Sequence, residues 1–384
     1  MDGISKNTTK QNNSIVSIIE CQNYDQQKVD LALKHCLNKL DAIDQIIKPD
    51  TTIHIKPNLL SARLPEHGIT THPSVVKALV NIIHKRGAKA TIGDSPAGIT
   101  RPIEEYWRTT GMHKVAEETG AQLIKFEKKG VIEKVVNGKS YFIAKPLASA
   151  DVVINLCKLK THSLTLYTGA IKNMFGIIPG VKKGEFHKIA PKVTQFSEIL
   201  VDIFQSMQPQ LTIMDAVIGM EGNGPSSGKP KHFGYILASR DAVALDAVGA
   251  HIMGYLPDEI LTTQIAYRRG LGEKDLDKIR FNGFRKEDLK KQDVLLPSNR
   301  LYQSLPEFLL KLAGRLIWIR PKANEAQCRK CGMCIQNCPV SAMVSKDGIP
   351  VIDYETCIKC FCCDEICPHD AIDIQMSWLA RKLR

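Results

Sequence analysis

Two hydrophobic periods alternate along the first three hundred residues of this chain. Residues 51–56 (TTIHIK) read as a strand that runs into a Pro57-Asn58 turn. Thr71 then caps a helix with Pro73 in its first turn. Its apolar positions Val75, Val76, Leu79, Val80, Ile82 and Ile83 keep helical spacing, and it stops at Gly87. Residues 88–93 read as a second strand ending at Asp94, which completes a β-α-β unit and predicts a parallel sheet with right-handed crossovers. Further strands are expected at 151–156, 211–217 and 233–239, with helices near 196–206 and 241–253, the latter N-capped by Asp241. The fold class is therefore α/β: a large, mostly parallel sheet with flanking helices, whose chemistry belongs where loops leave the carboxyl ends of the strands.

At 384 residues the chain exceeds one ordinary core, and its composition changes along its length. Residues 1–14 are a polar tail with no apolar stretch of signal-peptide type, and residues 15–300 hold the α/β domain. Residues 285–300 are a charged connector. Residues 301–323 form a linker, with an amphipathic helix from Leu301 to Trp318, and residues 324–384 form a small α+β module. The most apolar segment, Phe308 to Ile319, is broken by Lys311 and Arg315 and is too short for a membrane span. The net charge of +12 resides on residues 1–323, because the C-terminal module is nearly neutral. That field suits an anionic small molecule or an acidic redox partner protein. No nucleic acid is expected, since no helix-turn-helix, RNP or zinc-finger signature accompanies the charge.

Nine of the twelve cysteines fall between 328 and 367, which points to metal ligation in a reducing, cytoplasmic compartment. Cys328, Cys331, Cys334, Cys338 and Pro339 recur 29 positions later as Cys357, Cys360, Cys363, Cys367 and Pro368, and Ala342 recurs as Ala371. Each half has the C-x2-C-x2-C-x3-C-P spacing and resembles a two-cluster bacterial ferredoxin over residues 324–376. The resemblance implies two [4Fe-4S] clusters, with the fourth cysteine of each run serving the other cluster. Cys328, Cys331, Cys334 and Cys367 then hold one, and Cys357, Cys360, Cys363 and Cys338 the other. Zinc normally uses two separated cysteine pairs, which this run of three plus one does not offer. Cys362 interrupts the second motif, so a ligand set using it in place of Cys363 stays open, and so does a spare thiol packed beneath the loop.

In the large domain, Lys158, Lys160 and His162 follow the strand at 151–156, and Lys172 and Asn173 follow shortly after. Cations, a histidine and an amide in strand-end loops make an anion pocket, because lysine binds phosphate or carboxylate as a point charge. Lys56, Asn58 and His72 leave the first strands in similar fashion. Lys160, His162, Lys172, Asn173 and, after the strand at 211–217, Glu221 are the candidate catalytic residues. The loop Gly222–Lys229 permits close backbone approach to a ligand, but its glycine spacing and Pro230 exclude a phosphate loop, and no dinucleotide fingerprint follows any strand. Cys157 reads as a buried small hydrophobe. His187 sits in a basic loop that reads equally as a lid or as surface.

The segments Lys56-Pro57-Asn58-Leu59, Lys158 to His162, Thr168 to Gly176 and Met220 to Pro225 resemble an uncharacterised bacterial and archaeal family catalogued as a domain of unknown function. Many of its members carry a C-terminal ferredoxin module. The resemblance covers roughly residues 50–260 and implies an iron-sulfur protein without a defined substrate. The leading expectation is an iron-sulfur electron-transfer protein whose clusters pass electrons to or from an anionic ligand or redox partner at the α/β domain, as an oxidoreductase. A docking protein and a metal or cofactor maturation factor are the alternatives.

Overall fold

Alternating apolar residues build the sheet from both sides. In the computed structural model, which describes residues 14–40, 43–96, 102–180, 182–256, 258–289, 293–300 and 316–382, Ile154, Leu156, Ile213 and Ile236 point to one face. Val153, Cys157, Leu159, Met214 and Leu237 point to the other. Each such buried side chain contributes about 1.5–3 kcal/mol relative to exposure. The first face is covered by the helices Gln26–Asn38, Pro73–Lys85 and Met112–Thr119, the second by Val193–Ser206 and Ala242–Ile252.

The main sheet contains β1 (Ile15–Glu20), β2 (Thr52–Lys56), β3 (Lys89–Ile92) and β4 (Gln122–Leu123). A separate antiparallel hairpin, β5 (Val131–Val136) and β6 (Lys139–Ala144), precedes β7 (Val152–His162), β8 (Leu166–Thr168), β9 (Leu211–Glu221), β10 (Lys229–Ser239) and β11 (Arg280–Asn282). The order is β11-β1-β10-β9-β7-β2-β3-β4, with β8 paired to β7. The pairs β2–β3, β2–β7, β3–β4, β7–β9 and β1–β11 are parallel, whereas β10 runs antiparallel to both of its neighbours.

The expected β-α-β unit is present as β2, Pro73–Lys85 and β3. Its cap differs from expectation: His72 is the N-cap residue, its Nδ1 accepting from Ser74 N at 3.2 Å, while Thr71 is occupied by Asn58 N and Leu156 O. Asp241 caps Ala242–Ile252 as expected.

Three strands outrun their expected ends. Lys158, Lys160 and His162 belong to β7 itself, not to a strand-end loop, because β9 and the returning β8 pair the backbone as far as His162. β9 likewise continues to Glu221, and β10 begins at Lys229. His187 lies in a helix, Lys182–Ile189, and is buried, so neither a lid loop nor a surface site describes it. The amphipathic helix expected at Leu301–Trp318 falls almost wholly outside the described residues, as does the tail before Ser14.

The C-terminal module pairs β12 (Ile319–Ala323) with β15 (Ile372–Met376), and β13 (Met343–Lys346) with β14 (Ile349–Ile352). Its duplication is visible in the backbone. Lys330 and Lys359 have φ of 58° and 57°, Gly332 and Phe361 of 71° and 59°, and Ser341 and Asp370 of 53° and 50°, each pair 29 residues apart.

Candidate functional site between the sheet edge and the cysteine module

The C-terminal halves of β2 and β7 carry charge where ordinary strands carry hydrophobes. Lys158, Lys160 and His162 share one face of β7 with Ile154 and Leu156, since side chains two apart point the same way. All three are buried, so each requires compensation.

Lys158 has it in full: its Nζ lies 2.8 Å from the Asp215 carboxylate and 2.9 Å from the Tyr24 hydroxyl, whose ring stacks on His72 at 3.5 Å. Lys56 pairs with Asp94 at 2.8 Å. Lys160 has no carboxylate partner among the described residues; it donates to Ile69 O at 2.9 Å and Asn58 Oδ1 at 3.3 Å.

An amide chain continues from there. Asn58 Nδ2 donates to Asn173 Oδ1 at 3.0 Å, Asn173 Nδ2 to Asn155 Oδ1 at 2.6 Å, and Asn155 Nδ2 to Ala170 O at 2.9 Å. The short helix Ala170–Asn173 that supplies Lys172 and Asn173 is anchored by Asp246, which accepts from Ala170 N at 2.5 Å and Ile171 N at 2.9 Å.

Around this edge lies a cavity of about 350 Å³, within the range of small-molecule sites. Lys56, Lys160, Lys172 and Lys183 line it from the α/β domain. Cys338, Pro339, Cys362 and Glu365 line it from the C-terminal module. Burial lowers the proton affinity of Lys160 well below the ordinary lysine value, and the neighbouring Lys172 charge adds to the effect. Lys172 is lowered by burial against the opposing pull of Glu365. Lys183, whose ammonium donates to Ser95 O and to Pro96 O at 2.8 Å, is brought down to about 8, again by burial.

The module docks through specific contacts. Glu365 Oε1 lies 3.0 Å from His162 Nε2. His162 Nδ1 accepts from Leu164 N at 3.0 Å, which leaves the ring proton on Nε2, close to the carboxylate but without hydrogen-bond geometry toward it. Burial alone would raise the Glu365 carboxyl, but Lys172 and then His162 outweigh it and hold it well below the usual range. Ser226 donates to Glu365 O, Ser227 to Asp364 Oδ1, and Arg63 to Asp370 and to Cys367 O. The glycine-rich loop after β9 therefore approaches protein: a Cβ at Gly224 would lie 2.2 Å from Thr161 O.

Of the residues singled out from sequence, Lys160, Lys172 and Asn173 meet at the cavity, together with Lys56 and Asn58. His162 stands behind it against Glu365. Glu221 is not brought there; it accepts from Leu295 N at 2.9 Å and lies 3.7 Å from Lys231 at the far end of β9. Sequence reasoning missed Asp94, Lys183 and Glu365. Only Glu365 carried a signal: Asp364 and Glu365 put two acids inside the second cysteine run, where the first run has Ile335 and Gln336.

The cysteines gather around two small cavities. One is ringed by Cys328, Cys331, Cys334 and Cys367, the other by Cys338, Cys357, Cys360, Cys362 and Cys363. None of the twelve cysteines forms a disulfide. Backbone N–H groups aim at sulfur in symmetry-related fashion, Ala342 N to Cys338 Sγ at 3.2 Å and Ala371 N to Cys367 Sγ at 3.3 Å. At least four thiols per cavity, drawn from both copies of the repeat and supplied with N–H donors, fit an iron-sulfur cluster.

The profile of the family described as Domain of unknown function (DUF362) matches residues 53–251. The chain belongs to this DUF362 family. A thylakoid-associated protein of Synechocystis is 33% identical over 258 residues, covering 67% of this chain and 79% of that protein. The C-terminal region is similar to ferredoxins: 46% identical over 50 residues to an uncharacterised ferredoxin of Methanocaldococcus jannaschii (12% of this chain, 33% of that one), and 38% over 52 residues to ferredoxin-2 of Chlorobaculum tepidum (12% and 84%). The lactate racemase apoprotein of Thermoanaerobacterium thermosaccharolyticum overlays 62% of this chain and 56% of its own at a TM-score of 0.40 and 13% identity, too remote to carry an argument. No described helix of this DUF362 protein is long and apolar enough to cross a membrane.

Proposed function

We propose that this DUF362 protein is an iron-sulfur electron-transfer protein that exchanges electrons with a small anionic molecule bound in the cavity between its two parts. The C-terminal module would hold two [4Fe-4S] clusters, an outer one at Cys328, Cys331, Cys334 and Cys367 and an inner one at Cys357, Cys360, Cys363 and Cys338. When bound, such clusters supply single electrons.

The observation that carries this reading is the shared wall: lysines of the sheet edge and the segments bearing Cys338 and Cys362 line one cavity. Lys172 has no hydrogen bond or ion pair to a described residue, and with Lys160 it offers positive charge to a carboxylate or phosphate. Lys183, with its proton affinity brought down to about 8, can release or take up a proton near neutral pH. His162 and Glu365 keep the module seated. The outer site reaches the surface at exposed Cys331, flanked by exposed Arg329 and Lys330, which suits contact with an acidic redox partner protein. Free thiols throughout suit a reducing compartment such as the cytoplasm.

The test is anaerobic. Purified protein is reduced and mixed with a panel of small carboxylates and phosphate esters, and reoxidation is followed by visible absorbance. Faster reoxidation by one anion class, with its apparent Kd weakened about tenfold or more in Lys172→Ala, is expected. Reoxidation that no anion alters, or that Lys172→Ala leaves unchanged, refutes the cavity as the site.

A further inference from the structure

Cys362 has no counterpart in the first half of the repeat, where Met333 stands 29 positions earlier. It also does not point into solvent. Its sulfur, that of Cys360 and an imidazole nitrogen of His187 all lie within 4.8 Å of one another. Two of the three are contributed by the module and one by the α/β domain.

His187 is placed with care. Its ring stacks on Phe196 at 4.1 Å and meets Phe175 edge-on at 6.2 Å, so the helix Lys182–Ile189 presents it in one orientation. Both His187 and Cys362 line the 350 Å³ cavity.

We propose that His187, Cys362 and Cys360 bind one divalent cation of the zinc-like, borderline-to-soft class at the cavity wall. Two sulfurs and an imidazole are the donor set such cations prefer, and a catalytic site of this kind keeps a fourth position open. In tetrahedral geometry with metal–sulfur bonds of about 2.3 Å, the two sulfurs stand about 3.8 Å apart and each about 3.5 Å from the nitrogen. Closing from 4.8 Å thus asks for about 1.3 Å at most, within the reach of side-chain torsions.

The open position faces the cavity that Lys160 and Lys172 line. An anion held by those lysines can place an oxygen on the cation, which then acts as a Lewis acid beside the inner cysteine site. The inference rests on the reading of Cys360 as an inner-cluster ligand, so its thiolate would bridge the cluster and the cation. It deepens the proposed function by making the cavity a metal-assisted site.

The experiment uses the full chain, purified anaerobically with its iron in place. Co²⁺ or Zn²⁺ is added, excess is removed by gel filtration, and iron and the added metal are measured per chain. One Co²⁺ per chain with a thiolate-to-cobalt absorption band is expected. His187→Ala and Cys362→Ser should each weaken binding by at least about 100-fold while iron content stays at the wild-type level. Wild-type protein with full iron that retains no cobalt overturns the inference, and so does cobalt retained in both variants. Loss of iron in Cys362→Ser also overturns it, because Cys362 would then be a cluster ligand. Wild-type protein that holds no iron overturns the electron-transfer reading itself and the bridging role with it; the iron measurement keeps the two failures apart.

Discussion

Gly176 and Gly184 both line the cavity, yet adding one methyl group to each should have opposite consequences. A Cβ on Gly176 would come 2.0 Å from Asp94 Oδ1 and 2.7 Å from Lys56 Nζ, the two ends of a buried ion pair. The carboxylate has no room to yield, since its other oxygen accepts from Leu59 N at 2.9 Å and the residue is buried. Overpacking of this kind costs about 1–3 kcal/mol, and parting a buried pair about 3–5 kcal/mol. Because the backbone can shift slightly to share the strain, Gly176→Ala should cost about 3 kcal/mol. A Cβ on Gly184 meets only Pro339 Cβ at 3.9 Å, an ordinary contact, and the residue sits inside a helix. There the change should be neutral or stabilise by up to about 1 kcal/mol. Anaerobic urea titrations of the two variants and wild type, followed by far-UV circular dichroism, compare them directly. If Gly176→Ala unfolds within about 1 kcal/mol of wild type, the close packing of Gly176 against the Lys56–Asp94 pair is wrong.

Burial raises the Asp246 carboxyl to about 7. A folded value above the unfolded one gives stability that is complete below about pH 4 and is lost as pH rises through 7, so the wild-type advantage over Asp246→Asn should shrink between about pH 4 and 7 in thermal melts. His54 is pushed down to about 4 by burial, and its stabilisation, present above its unfolded value near 6.5, should fade as pH drops toward 4. Unfolding of His54→Gln in the same range should lose up to about 3 kcal/mol of this acid sensitivity relative to wild type. Arg63→Ala removes two bonds to Asp370 and one to Cys367 O, and amide exchange over residues 364–371 should quicken by about one to two orders of magnitude, corresponding to about 1–3 kcal/mol of lost docking. Unchanged exchange there would mean that Arg63 does not hold the module.

The β-α-β unit at 52–92 was legible because strand, Pro-initiated helix and glycine stop follow one another within local windows. The cysteine module was legible for a different reason: a repeat of 29 residues needs no fold prediction to be recognised. The far ends of β7 and β9 were not. Lys158, Lys160 and His162 read as a loop because buried charge is rare, and the partners that permit it, Asp215, Ile69 O and Glu365, lie 57, 91 and 203 residues away. His187 was misread as loop because Gly184 and two lysines weaken the helical pattern, while its aromatic neighbours Phe175 and Phe196 are brought in by tertiary packing. Glu221 looked equivalent to the lysines by its place at a strand end. Its neighbour Met220 pairs with Lys160, so Glu221 stands level with the cavity residues, but its carboxylate turns to Lys231 and Leu295 N instead.

Three lysines of this sheet edge and Lys172 of the helix beside it separate into two kinds, and the difference bears on function. Lys56 and Lys158 each meet a carboxylate at 2.8 Å, so their burial is compensated within the α/β domain. Lys160 and Lys172 have no carboxylate within ion-pair distance among the described residues; Glu365 of the docked module opposes their charge from farther off, joined by Asp94 at Lys160 and by Cys362 at Lys172. With no carboxylate in direct contact, the two ammonium groups are incompletely paired at a largely enclosed site, which costs stability unless something else pairs with them. A structural network would have been closed with a second acid, as at Lys56 and Lys158. Leaving the pair open toward a cavity of about 350 Å³ makes sense where an anion completes the charge balance. The side of the cavity on which Cys338 and Cys362 lie then sets that anion beside the inner cysteine site.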